Sequence, residues 1–477
     1  MLDQLRSSFV NGSFLFAGGH SLRELINPAT ETSFHEVADA NAPDVDTAAE
    51  AAHSIWENEW RDSAPGRRSE LLHRLANLIE AKAAQIAELE SRSMGKPIAA
   101  ARDEVLMGAR TFRYYAGALL MPSGETIPVS RGGLDFTLRQ PLGVIACIVP
   151  WNYPFAIACW KVAPALAAGN CVLLKPAAPS PLGALALGQL AIEAGLSAGV
   201  LQVICGTGGE IGDALVTHPR VRKVSFTGST ETGRRVMELA ARDFKRLSLE
   251  LGGKSPNIVF ADADLSAAAD SAPLSVFDNT GQDCCARSRI FVERGIFDEF
   301  VDRFIAATLK LRVSDPADET TELGPLVSAG HRDRVERFIA DARSRGRTIA
   351  CGGDRPKDKG FYLNPTIITG VETDDLCWRE EIFGPVACVR PFDDEAEMIR
   401  EVNDSPYGLS GSIWTRDLER ALRVARRIDS GVLSINSHSS VHVEAPFGGF
   451  KHSGLGRDLG RAALEACTEI KNIYIGS

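Results

Sequence analysis

Residues 144–175 read VIACIVPWNYPFAIACWKVAPALAAGNCVLLK. Val144 to Val149 is an unbroken apolar run that stops at Pro150, the pattern of a strand buried on both faces. Phe155 to Ala168 then reads as a helix, and Cys171 to Lys175 as a second buried strand. Between Arg139 and Lys161 there is no charged residue, a length that would suit a membrane span. Pro141, Pro150 and Pro154 interrupt it and Asn152 lies near its middle, so strand followed by buried helix is the better reading. No membrane association is expected.

The same rhythm continues outward. Leu182 to Gly195 reads as a helix, VLQVI (200–204) as a strand, Glu210 to Thr217 as a helix and KVSFTG (223–228) as a strand. Repeated βαβ units imply a doubly wound parallel sheet covered by helices, so the fold class is α/β. Upstream, Asn11-Gly12 and Asn27-Pro28 are turn signals among short strands. Asp44 to Ala52 and Arg67 to Met94 read as helices, the second with Leu71, Leu72, Leu75, Leu78, Ile79, Ile86 and Leu89 on one face. Another helix runs from Ala101 to Leu119, and Ser123 to Gln140 alternates like exposed strands. Downstream, strand NIVF (257–260) and helix Leu265 to Phe277 open a second α/β unit. IFVE, helices Phe297 to Leu311 and Ala329 to Arg345, ACVRPF and SGSIWT continue it, and EIKNIYI reads as a terminal strand.

A chain of 477 residues divides into two or three domains. Its net charge of −10 argues against nucleic acid as a partner, and no run of five like charges offers a basic arm. Ten scattered cysteines, several inside apolar strands, suit a reducing compartment, and MLDQLRSSFVNGSF has no sustained apolar core of a signal peptide. A cytoplasmic location is the expectation.

Residues 277–289, FDNTGQDCCARSR, carry two adjacent cysteines. Their Cα atoms sit ~3.8 Å apart, too close for an unstrained disulfide. No second CxxC or HxxxH completes a metal site, so no metal is expected. One nucleophilic thiol on a tight loop remains, against a pair of small buried hydrophobes. Gly206-Thr-Gly208-Gly209-Glu-Ile-Gly212 nearly matches a dinucleotide fingerprint. Gly228-Ser-Thr-Glu-Thr-Gly233 also follows a strand and opens a helix. Either alone is weak; two in one βαβ run point to a nucleotide.

The ordered set PWNYP (150–154), LLKPAAPSP (173–181), FTGST (226–230), LELGGKSP (249–256), GQDCC (281–285), EEIFGP (380–385) and PFGGFKHSGLGRDLG (446–460) resembles the aldehyde dehydrogenase superfamily. Such enzymes oxidise aldehydes to acids with NAD or NADP. The resemblance implies Cys284, not Cys285, as nucleophile, Asn152 as oxyanion donor with the Cys284 N–H, and Glu250 as general base. It implies a coenzyme cleft of Ile148, Pro150, Trp151, Lys175, Ala178, Gly208, Phe226, Gly228, Ser229, Thr232, Leu251, Glu381 and Phe383. Lys175 would reach the adenosine ribose and Glu381 the nicotinamide ribose. Tyr153, Trp160 and Phe447 match the walls of the aldehyde tunnel. The implied organisation is a Rossmann-like NAD(P) domain (1–121 and 142–252), a catalytic domain (253–455) and a small β oligomerisation element (122–141 and 456–477) that builds a homodimer or homotetramer.

Several departures from the family pattern bear on specificity. Ala178 stands where many NAD-preferring members carry glutamate, so NADP is expected beside NAD. Trp160 stands where members acting on succinic semialdehyde can carry arginine. Asp283 and Glu444 add negative charge to the tunnel, and Asp458 replaces the commoner glutamate. A coenzyme-A-acylating relative is the first rival, opposed by Glu250, which such relatives generally lack. A fold kept for binding alone is the second, opposed by the intact Cys284, Glu250 and Asn152.

Overall fold

Strand Val144–Ile148 is buried at every residue and lies near the middle of an eight-stranded sheet. The computed structural model describes residues 2–15, 19–121, 123–439 and 441–476. The sheet runs Gly454–Leu455, Arg246–Glu250, Val221–Thr227, Val144–Ile148, Cys171–Lys175, Leu201–Val203, Phe9–Val10, Ser13–Phe14, with the five strands from Arg246–Glu250 to Leu201–Val203 parallel. From Val144–Ile148 the chain steps outward through Cys171–Lys175 and Leu201–Val203, then returns to the other flank with Val221–Thr227. That reversal of strand order opens a crevice at the carboxyl ends of Val144–Ile148 and Val221–Thr227, where sheets of this kind bind ligands. Helix Pro154–Ala167 is buried along its whole length, the only place for a helix apolar on all sides.

Arg246–Glu250 leaves this sheet at its carboxyl end, and residues 251–255 lead directly into Pro256–Val259 of a second, seven-stranded sheet. Six of its strands are parallel and Thr348–Cys351 is antiparallel. Ile258, Phe291, Ile368 and Cys388 enter one apolar layer, while Val259, Ile290, Val292, Ile367, Ala387 and Val389 enter another. The period of two shows a sheet covered on both faces. The loops before Arg289–Glu293 and Val386–Phe392 lie at the amino edge of these strands, and that edge meets the carboxyl edge of the first sheet.

The structure corrects several boundaries read from the sequence. Arg67 to Met94 is not one helix: Pro65–Ala81 and Ala83–Met94 meet at Lys82, whose φ of −104° and ψ of 9° break the helical run. Both pieces pack on Ile98–Ala118, and the break turns each apolar face toward it. The helix expected at Glu210 starts as a wide π turn at Gly208–Gly212 before Asp213–Thr217, since the glycine-rich segment tolerates the irregularity.

The carboxyl-terminal segments divide between the sheets. Gly454–Leu455 pairs with Arg246–Glu250 rather than joining the second sheet. Residues 456–465 belong beside the first sheet too, because Asp458 bonds Lys161 and Tyr115 Oη donates to the Gly460 carbonyl. Only Thr468–Ile475 joins the third sheet, pairing antiparallel with Leu134–Pro141, which pairs in turn with Thr126–Ile127. Residue 122, expected to open that element, and residues 16–18 lie outside the described residues. Among the described residues no helix is long and apolar enough to cross a membrane.

Candidate active site

The loop that carries Cys284 is held in an unusual backbone shape. Asn279 (φ 50°) and Thr280 (φ 59°) are left-handed without being glycine, a conformation costing roughly 1–2 kcal/mol per residue. Surrounding bonds hold it. Thr280 Oγ1 donates to the Gly324 carbonyl (2.9 Å), Gln282 Nε2 to the Asn279 carbonyl (3.0 Å), and the Val327 N–H to Gln282 Oε1 (2.9 Å). Beyond the turn, Cys285 N–H donates to Asp283 Oδ1 and Arg287 Nη1 to the Cys285 carbonyl, each at 2.9 Å. Cys285 is buried and Cys284 half-buried; both border a cavity of about 620 Å³.

Asn152 reaches this loop from the first sheet. Its Nδ2 donates to the Gln282 carbonyl at 3.0 Å, and its own carbonyl accepts from Asn279 Nδ2 at 2.9 Å. The amide keeps one further N–H, and Asn152 lies behind the cysteine loop rather than among the residues that line the cavity. Residues 251–255 thread between the two sheets so closely that a Cβ at Gly252 would collide with the Glu381 carboxylate and one at Gly253 with the Cys284 carbonyl. That crowding explains the glycine pair of LELGGK.

Glu250, at the end of its strand, also borders the cavity, buried with neither carboxylate oxygen hydrogen-bonded. Burial and then the Asp458 charge push its pKa well above the carboxylate range, against the opposing pull of Lys161 and Arg457. A buried carboxyl without partners is a costly arrangement that proteins keep chiefly at reactive sites. Lys161 Nζ bonds Asp458 Oδ2 (2.7 Å) and Ser225 Oγ (3.1 Å), so the shorter aspartate still reaches the lysine. The Cys284 thiol is also pushed up, first by its hydrogen bond with Cys285, then by burial and the charges of Asp283 and Glu381.

The residues assigned to a coenzyme gather along the carboxyl edge of the first sheet. Ile148 ends one strand and Pro150 and Trp151 follow it, Lys175 ends the next before Ala178, and Phe226 near the end of a third precedes Gly228, Ser229 and Thr232. Leu251 follows the strand that ends at Glu250, and Gly208 is exposed in the π turn. Phe226 is buried with its ring beneath Gly228, so it forms floor rather than wall. Glu381 and Phe383 close the cleft from the second sheet, where the Trp151 and Phe383 rings meet edge to face at 5.4 Å.

A dinucleotide fits this donor set. Lys175 is buried and, among the described residues, its amine bonds only the carbonyl of Pro176, next in the chain (3.2 Å). Burial brings that amine down to about 8. Glu381 is half-buried, accepts the Gly253 N–H at 2.8 Å and is pushed up by desolvation to about 7, which leaves carboxylate capacity for sugar hydroxyls. Helix Thr230–Ala241, capped by Ser229, turns its amino terminus to the same edge.

Tyr153, Trp160 and Phe447 all line the cavity, with the Trp160 and Phe447 rings 5.6 Å apart. Tyr153 Oη donates to Asp278 (2.9 Å), and the Lys96 amine, ion-paired with Glu104, lies 3.8 Å above the Tyr153 ring. Asp283 lines the cavity as expected. Glu444 does not: the chain turns outward where Ala445 N–H donates to the His442 carbonyl, leaving Glu444 exposed near Tyr114. Sequence reading missed Asp278, Asp103, Asn279 and His331. His331 bonds the Phe383 carbonyl through Nε2 (2.7 Å) and packs on Trp151 (5.4 Å), and only the Ser328 helix cap hinted at its place.

A model of the aldehyde dehydrogenase family matches residues 17–473. An aldehyde dehydrogenase of Emericella nidulans is 42% identical over 473 residues, covering 99% of this chain and 95% of its own. An NADP/NAD-dependent aldehyde dehydrogenase of Escherichia coli is 41% identical, covering 98% and 95%. The solved NAD+ complex of an aldehyde dehydrogenase from Bacillus cereus superposes with a TM-score of 0.97 at 40% identity, over 99% of this chain and 97% of that one.

Proposed function

The chain belongs to the aldehyde dehydrogenase family and oxidises an aldehyde to a carboxylic acid, and we propose that Cys284, Asn152 and Glu250 carry the reaction. The observation that carries this reading is a half-buried thiol and an unpaired buried carboxyl lining one cavity. The Cys284 thiolate adds to the carbonyl carbon and forms a thiohemiacetal. Asn152 Nδ2 and the Cys284 N–H donate to the developing oxyanion, each worth ~3–4 kcal/mol of barrier. NAD, when bound, supplies the acceptor for the hydride that leaves this carbon. Glu250 takes a proton from the water that adds to the resulting thioester, and the acid departs as the Cys284 thiol is restored. Acid and NADH formed in equal amounts, without coenzyme A, are the expected result; an absolute requirement for coenzyme A would refute the reading.

The substrate is proposed to be an aromatic, aliphatic or cationic aldehyde rather than an anionic one. Tyr153, Trp160 and Phe447 supply apolar wall, and Asp103, Asp278 and Asp283 add acid that Arg110 and Arg287 only partly offset, Lys96 being paired with Glu104. Like charge in such a tunnel costs ~1–3 kcal/mol, about ten- to a hundredfold in kcat/KM. In an aldehyde panel succinic semialdehyde should therefore rank low, and its ranking first would sink the idea.

NADP is proposed as a second coenzyme. A glutamate at position 178 would accept from a ribose 2′-hydroxyl and repel a 2′-phosphate; alanine does neither. A charge-assisted bond lost from NAD is worth ~1.5–3 kcal/mol, and relieved repulsion favours NADP comparably, so the ratio moves by roughly a hundredfold or more. Ala178→Glu should shift kcat/KM toward NAD by that order, and an NADP value over about a thousandfold below that for NAD in the parent would contradict it.

The protein is further proposed to be a cytoplasmic homodimer or homotetramer. Leu134, Leu138, Ile470, Tyr474 and Ile475 are exposed on the three-stranded sheet, an edge and face that a second subunit would cover. A monomeric mass by light scattering at micromolar concentration would contradict the assembly.

A further inference from the structure

Two cations meet at the outer end of the coenzyme cleft. Lys175 ends its strand there, and Arg23 arrives from the hairpin strand Leu22–Asn27, far upstream and outside both large sheets. The far end of that hairpin is tied to the carboxyl edge, since the Ala40 N–H donates to the Cys205 carbonyl at 2.9 Å just beyond Leu201–Val203. Arg23 Nη1 donates to the carbonyl of Ala178 at 2.9 Å, and its guanidinium also pairs with Asp39. Lys175 Nζ donates to the Pro176 carbonyl (3.2 Å), two residues before the carbonyl that Arg23 holds, and the Arg23 charge adds to the burial that lowers Lys175.

The other titratable groups here leave this site positive. Cys205 is a buried thiol raised to about 12 and carries no charge near neutrality. His20 bonds the Asp39 carbonyl (3.0 Å) and pairs with Asp44 (3.6 Å), away from Lys175. Arg23 and Lys175 against Asp39 sum to one positive charge. Two cations held together over a single acid are unfavourable unless an anion joins them.

We propose that Arg23 is a coenzyme-specificity residue that, with Lys175, forms the cationic site receiving the 2′-phosphate of NADP in the space Ala178 leaves open. This rests on the reading of Lys175 and Ala178 as the ribose end of the cleft. The bond to the Ala178 carbonyl fixes the guanidinium plane, and a planar fork suits a phosphate better than a lone amine. A 2′-hydroxyl carries no charge and gains little from it, so the contribution is selective. Asp39 works in the opposite sense, holding Arg23 while repelling a phosphate, which suits use of both coenzymes rather than NADP alone.

The test is calorimetric titration of the full-length protein with 2′,5′-ADP and 5′-ADP, backed by kcat/KM for both coenzymes and a melting curve for each variant. Arg23→Gln should weaken 2′,5′-ADP by about tenfold or more and 5′-ADP by less than about twofold. Arg23→Lys should retain part of the difference, and Asp39→Asn should tighten 2′,5′-ADP. Equal weakening of both ligands would mark Arg23 as a tether for the Ala178 loop and overturn the proposal, as would no change in either. If Ala178→Glu shifts preference while Arg23→Gln does not, the ribose-end reading stands and Arg23 falls. If Arg23→Gln acts selectively while Ala178→Glu changes nothing, Arg23 stands and the Ala178 reading falls.

Discussion

Cys284→Ser abolishes aldehyde oxidation, lowering kcat by about 10⁴-fold or more, whereas Cys285→Ser keeps most of it. The two thiols differ in what surrounds them. Cys285 is buried, its N–H on Asp283 and its carbonyl on Arg287, and its side chain joins the apolar core of the first sheet while bordering the same cavity. Cys284 is half-buried and belongs to the loop that Asn152 touches through the Gln282 carbonyl. A serine hydroxyl is far less acidic than a thiol, so its oxyanion is scarcely populated near neutrality and isosteric replacement does not rescue the chemistry. The hydrogen bond with Cys285 is the largest influence raising the Cys284 thiol. Cys285→Ala should therefore move the pH midpoint for alkylation of Cys284 downward. Because the thiolate is the reactive form and its pKa is raised, alkylation in the free enzyme should rise from neutral toward alkaline pH and fall as pH drops. An essential Cys285 beside a dispensable Cys284 would reverse the assignment.

Glu250→Gln is the second large effect: NADH forms in a burst of about one equivalent per site, then turnover slows by about 10²–10⁴-fold. The amide keeps the shape of the carboxyl against Gly448, where a Cβ would lie 2.5 Å from Glu250 Oε1, so packing changes little. What disappears is the proton acceptor for the water that opens the thioester. Mass spectrometry should find Cys284 acylated in the stalled enzyme. Deacylation in the parent should rise with pH, since burial and Asp458 hold Glu250 protonated at low pH and only its ionised form accepts a proton. Normal steady-state turnover of Glu250→Gln would remove this residue from the mechanism.

The α/β class was legible because buried parallel strands cannot hide their composition. Val144–Ile148 and Cys171–Lys175 read as apolar runs, and Leu265–Phe277 was bounded correctly from periodicity alone. The break at Lys82 was not legible, as nothing in EAKAAQ disfavours a helix; packing of both pieces on Ile98–Ala118 decides it. The attachment of residues 454–460 to the first sheet was hidden for a similar reason. Asp458 and Gly460 look like any loop residues until their bonds to Lys161 and Tyr115 are seen.

Sequence by itself determined which residue types stand at the strand ends and in what order, because motifs such as PWNYP, LELGGK and GQDCC are local. It therefore determined the family and the named candidates for its chemistry. Only the tertiary structure decided which charges face one another. Arg23 and Ala178 are 155 residues apart and Tyr153 and Asp278 are 125 apart, yet each pair is hydrogen-bonded at 2.9 Å. Glu444, near in sequence to Phe447, is turned away from the cavity that Phe447 lines. Electrostatic energy falls with distance through space, not along the chain, so specificity set by charge is written in the folding of remote segments onto one edge.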